Sequence, residues 1–130
     1  MLRFALPVLL LGAACATTAS VPVPNDASAR VEKTLAGLTP GEPRRCLRRD
    51  DYTEMRTAKG VIVFVAGKNR VWRNDVVGAG CRGLERGDIV VIQSISGRQC
   101  DGDLVQTRAA TGGMLSGSCS LGTFTPYSRK

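Results

Sequence analysis

Five cysteines and no histidine set the limits of the chemistry open to this chain. Without an imidazole there is no Ser-His-Asp triad, no Cys-His dyad and no H-E-x-x-H zinc site. Proton shuttling near neutral pH also loses its usual residue. Cys46, Cys81, Cys100 and Cys119 are separated by 35, 19 and 19 positions. Zinc sites use close ligand pairs such as C-x-x-C, so this spacing reads as two disulfides and no metal centre. Thiols held as disulfides are not nucleophiles.

Four arginines surround the first of these cysteines, in Arg44-Arg45-Cys46-Leu47-Arg48-Arg49. Guanidinium groups grip phosphate and carboxylate bidentately, which makes this cluster the best candidate for an anion-binding feature. The plain alternative is a solvated strand end, partly neutralised by Asp50, Asp51 and Glu54. Carboxylate chemistry would have to come from Asp101 and Asp103 with Asp88 or Glu85 nearby. Asp101-Gly102-Asp103 is more simply a turn, and it offers too few oxygens for a calcium loop. Gly78 to Gly83 fits G-x-G-x-x-G, but Leu84 to Asp88 lead towards another strand, so no dinucleotide-binding βαβ unit is expected. Arg86-Gly87-Asp88 reads as a turn. No cofactor is implied.

The fifth cysteine, Cys15, closes an export signal. Met1-Leu2-Arg3 supplies one positive charge, Phe4 to Leu11 is apolar apart from Pro7, and small residues follow. The run is shorter than the roughly 20 residues that span a bilayer. Cleavage before Cys15 would free its thiol for acylation, although Gly12 stands where bacterial lipoprotein signals usually have leucine. Ala14-Cys15-Ala16 alternatively permits ordinary cleavage before Thr17. The expected organisation is a signal peptide at 1–14, a Pro-rich tether at 15–25 and one domain at 26–127. Formal charge is +7, which favours anionic neighbours such as lipid headgroups, lipopolysaccharide or acidic polymers, with an anionic envelope component or an envelope protein as the expected partner. Nucleic acid is not expected, because export separates the two and no aromatic platform accompanies the arginines.

The elements that must position these residues are mostly short strands. Ala27, Val31, Leu35 and Leu38 share one helical face, predicting a helix over 27–38 behind Asp26 and ahead of Pro40-Gly41. After Arg44 the pattern becomes short β runs between turns. Val61 to Ala66 is apolar on both faces, as in a central strand, and Ile89 to Ile95 reads the same way. Cys46-Leu47 is hemmed in by arginines, so its buried part must be very short. Ser118 to Phe124 reads as the last strand. Five to seven short strands imply a mainly β fold, a small antiparallel sandwich or partly open barrel with one N-terminal helix. In a simple meander Cys46 and Cys81 fall at opposite ends of the sheet. That disfavours 46–81 with 100–119 and leaves two pairings, 46–119 with 81–100 and 46–100 with 81–119.

Gly41-Glu42-Pro43 leading to Cys46-Leu47, Cys81-Arg82-Gly83-Leu84, Cys100-Asp101-Gly102-Asp103 and Gly117 to Tyr127 resemble the pattern of a family of small exported proteobacterial proteins, a domain of unknown function. The resemblance covers about residues 35–127. Arg82 stands where family members often have proline. The resemblance implies paired cysteines, a β-rich fold and no catalytic residues. The functional expectation is a non-catalytic envelope domain, lipid-anchored through Cys15 or periplasmic, with a binding or structural role. The alternatives are an inhibitor or ligand-binding module working through the arginines, and a weak carboxylate-dependent enzyme.

Overall fold

A computed structural model describes residues 26–130. The proposed signal peptide, Cys15 and the tether lie outside the described residues. Helix α1 spans Asp26–Leu35. It buries Val31 and Leu35, with Ala27 and Leu38 half-buried beside them, so the expected apolar face forms. The helix ends at Leu35, short of the predicted 38, because Gly37 takes a left-handed backbone (φ 75°) and turns the chain.

Ten strands follow among the described residues, more than the five to seven expected: β1 (Thr39–Pro40), β2 (Cys46–Arg48), β3 (Glu54–Ala58), β4 (Val61–Gly67), β5 (Arg70–Asp75), β6 (Ile89–Gln93), β7 (Arg98–Cys100), β8 (Leu104–Arg108), β9 (Leu115–Ser120) and β10 (Phe124–Ser128). Several are two or three residues long, below what periodicity can register. The run expected as one last strand is the end of β9, a short link and the start of β10. All ladders are antiparallel and form three sheets, β1-β10-β5-β4-β3, β2-β7 and β6-β8-β9. The architecture is therefore a small β sandwich and not a closed barrel.

The five-stranded sheet is covered on both faces, which explains why β4 is apolar at every position to Ala66. Val61, Val63 and Val65 point with Val71 towards α1. Ile62 and Phe64 point the other way with Trp72 and Phe124, and meet Leu47, Val105 and Cys119 from the smaller sheets and Cys81 and Leu121 from the segments beside them. The matching expectation for Ile89–Ile95 fails. The strand ends at Gln93, and it is the outer strand of its sheet. Val90 and Ile92 pack on the core, but Ile89 is 52% exposed and Ile95 lies wholly in solvent in the following loop. A short apolar run looks the same whether both faces are buried or only one.

The segment between β5 and β6 contains a one-turn helix, α2 (Gly83–Arg86), closed by Gly87 in a left-handed conformation. Gly83 permits its close seat: a Cβ there would lie 2.7 Å from Ser116 Oγ and from Thr107 Cβ. With no parallel strand pair around it, the Gly78–Gly83 segment is a packing loop, in line with the sequence reading.

Candidate functional site

The two cystines join Cys46 to Cys100 and Cys81 to Cys119, one of the two pairings left open by the sequence. Strand pairing selects it. β2 and β7 lie antiparallel with Cys46 opposite Cys100, Leu47 opposite Gln99 and Arg48 opposite Arg98. Leu47 and Gln99 face inward and are buried, and Gln99 donates to the Tyr52 hydroxyl (2.9 Å). Alternation then puts both cysteines and both arginines on the outward face.

This register places two like charges side by side. Asp101 N–H donates to Arg45 C=O (2.7 Å), which makes 45 and 101 a hydrogen-bonded pair. Two steps on, Leu47 and Gln99 are the next such pair, so Cys46/Cys100 and Arg48/Arg98 are the close, non-hydrogen-bonded ones. Side chains approach most nearly at those positions, and like charges directly opposite are destabilising. Arg98 was not singled out in the sequence, because it sits 49 positions beyond Arg49 and only the β2–β7 register makes it a neighbour.

The four sequence-predicted arginines divide. Arg45 is taken, its Nε lying 3.2 Å from both Asp101 carboxylate oxygens. Arg44 is held by backbone bonds to Phe124, and its side chain is exposed. Arg49 begins a short 3₁₀ turn and is also exposed. The acids expected to neutralise the cluster are mostly engaged elsewhere. Asp51 accepts from the Arg48 backbone N–H (3.1 Å), and Glu54 pairs with Arg56 (2.8 Å). Only Asp50 remains, a loose 3.7 Å from Arg48. Among the described residues, Arg44, Arg49 and Arg98 have no carboxylate partner.

The carboxylates are not gathered. Asp103 accepts from the Cys100 backbone N–H (2.8 Å) and Asp101 pairs with Arg45. Asp88 precedes β6, whereas Asp103 precedes β8 at the opposite end of that antiparallel pair. Asp88 instead accepts from Ser116 Oγ (2.6 Å) and pairs with Arg86 (2.9 Å), which fixes α2 to β9 and closes the Arg86-Gly87-Asp88 turn on itself. The Ser116 hydrogen bond, helped by the Arg86 charge, holds the Asp88 carboxyl below its ordinary value. A depressed folded pKa stabilises the fold above the unfolded value of about 3.9 and is lost as pH falls through the lowered one. Asp88→Asn is therefore expected to flatten the acid limb of stability below about pH 4. Urea midpoints at pH 7 and pH 3 check this, and an unchanged difference between the two pH values would refute it.

A groove of about 1150 Å³ runs along β3 between α1 and α2. Its charges are mixed and largely paired internally, as Glu54 with Arg56 and Asp88 with Arg86, while Arg30 and Lys33 stand on its α1 wall. The outward β2–β7 face, smaller but of one sign, is the better-defined candidate. No group of metal-ligating side chains occurs among the described residues, and none of their helices is long and apolar enough to cross a membrane. Comparison with protein-family models, curated proteins and solved structures finds no match to this chain.

Proposed function

We propose that this chain is an exported domain of the bacterial envelope that acts by binding an anionic partner, not by catalysis. The observation that carries this reading is the Arg48–Arg98 pair, side by side on an exposed face with Arg49 adjacent and one loose carboxylate to offset them. A like-charge pair so weakly offset costs stability, and a bound phosphate or carboxylate would relieve it. The neighbouring Cys46–Cys100 bridge holds the two strands in register. Two disulfides fit an oxidising compartment, and together with the N-terminal signal layout they support export, with Cys15 as the lipid attachment point. The resemblance of residues 35–127 to small exported proteins points the same way. The partner class is an anionic lipid headgroup, lipopolysaccharide or an acidic envelope surface.

Arg48→Glu, Arg49→Glu and Arg98→Glu combined are expected to weaken retention on lipopolysaccharide by at least about 100-fold, from roughly 1 kcal/mol per basic side chain at an anionic surface. Arg45→Glu, whose guanidinium is already engaged, should have a smaller effect. Unchanged retention of the triple variant at low salt would overturn the reading. Export is tested separately by intact mass of the envelope-derived protein with thiols alkylated before reduction. Cleavage at Cys15 with added acyl chains supports anchoring, and cleavage before Thr17 supports a diffusing domain.

A further inference from the structure

We propose that β6 is a self-pairing edge, through which two copies of this chain join their three-stranded sheets into one six-stranded sheet. The argument begins at the opposite edge of that sheet. Ser118 N–H donates to Gly80 C=O, and Ser120 exchanges backbone bonds with Val77 (2.8 and 3.0 Å). Ser118 and Ser120 thus face away from β8, and Cys119 is the residue that bonds Val105. Alternation then turns Leu104 and Gln106 towards β6, where they meet Gln93 and Val91. Val90 and Ile92 are left with their N–H and C=O groups on the outer side of β6. Neither has another backbone hydrogen bond among the described residues.

Sheet edges are ordinarily protected, and the others here are. β1 is two residues long and contains Pro40. β3 carries the Glu54–Arg56 ion pair and is tied to α1 through Arg56 and Thr34 (2.7 Å). The outer side of β9 is covered by the Val77–Gly80 segment, and β2 and β7 carry Arg48 and Arg98. β6 is Ile-Val-Val-Ile-Gln, with no charge and no proline.

Its pattern also suits a second copy of itself. Val90 and Ile92 flank Val91 symmetrically. A two-fold axis at Val91 pairs Val90 with Ile92 of the second copy, and the reverse, with every outward polar group matched. Val91 then faces its own equivalent, and Ile89 faces Gln93. On the solvent face of the same sheet Ile89 (52% exposed) and Leu104 (37% exposed) flank this seam, and Leu115 (56% exposed) continues the apolar surface on β9. Pairing would withdraw Ile89 in particular from water, which favours association.

The test uses the full-length chain carrying Cys15→Ser, so that the four domain cysteines stay bridged and each introduced cysteine is the one thiol free to link. Val91→Cys is expected to give a covalent dimer on mild oxidation, because the two copies' residues lie directly opposite. Ile89→Cys and Gln93→Cys should each stay unlinked alone and link when mixed. Val91→Lys, on a partly exposed position, is expected to halve the mass seen by sedimentation and leave the circular dichroism spectrum unchanged. A monomer at all concentrations, or cross-linking that ignores register, would overturn the proposal. Arginine variants that lose lipopolysaccharide binding but remain dimeric keep it separate from the proposed anion site.

Discussion

Replacing Cys81 and Cys119 together by alanine is expected to cost about 4 kcal/mol, because the bridge closes a separation of 38 residues and removes that much loop entropy from the unfolded chain. Both side chains are also buried in the main core beside Leu84 and Val105, so the variant loses packing as well. For a domain of this size, whose total stability is of the order of 5–15 kcal/mol, the result is a chain close to unfolding at growth temperature. Equilibrium urea denaturation by tryptophan fluorescence reads it directly through Trp72, which is buried. The Cys46–Cys100 bridge spans 54 residues and has similar entropy in the same account, but it lies on an outward face and gives up less packing. Its removal should therefore cost less. Equal losses would mean that the core contacts of Cys81 and Cys119 contribute nothing beyond the covalent link.

Asn74→Ala is the second large effect. Asn74 is fully buried, and its side-chain amide acts as a substitute peptide: Nδ2 donates to Gly122 C=O (2.8 Å) and Oδ1 accepts from Gly122 N–H (2.9 Å). Gly122 is held so near β5 that a Cβ would lie 2.3 Å from Asp75 O, leaving no room for another side chain to take over. Alanine leaves two backbone groups without these partners, at roughly 1–3 kcal/mol each, so a loss of about 2–6 kcal/mol is expected. Asn74→Asp supplies a sharper test. Its carboxylate can accept from Gly122 N–H but opposes Gly122 C=O, so its folded pKa is raised. Such a group stabilises the fold below the unfolded value of about 3.9 and loses that contribution as pH rises through the raised one. The aspartate variant should therefore be weaker at pH 7 than at pH 4 relative to the natural chain. A constant difference across that range would show that the amide pair is not what holds Gly122.

Neither residue of that amide pair is conspicuous in the sequence. Asn74 is the last residue but one of a short strand and Gly122 sits in a Ser-Leu-Gly-Thr link, 48 positions away. Their partnership follows from β5 lying beside β10, a non-local fact. Arg98 escapes for the same reason: it looks like part of a Ser-Gly-Arg turn until β7 pairs with β2. Along the chain Asp51 and Glu54 stand next to the arginines they would neutralise. In the fold one binds a backbone N–H and the other binds Arg56.

What the sequence determined by itself is local or compositional. The apolar face of α1, the double-faced run of β4, the turn at Asp101-Gly102-Asp103, the mainly antiparallel β class and the use of all four domain cysteines in bridges were legible, because side-chain periodicity and turn chemistry act over a few residues. The tertiary structure alone decided which cysteine meets which, that β6 stands at an edge while β4 lies inside, that α2 breaks the glycine loop and that Arg48 faces Arg98. Each of these depends on strand order and register. Register is fixed when the distant apolar faces of β4, β5, β8 and β10 close on one core, and no local window of the chain contains that event.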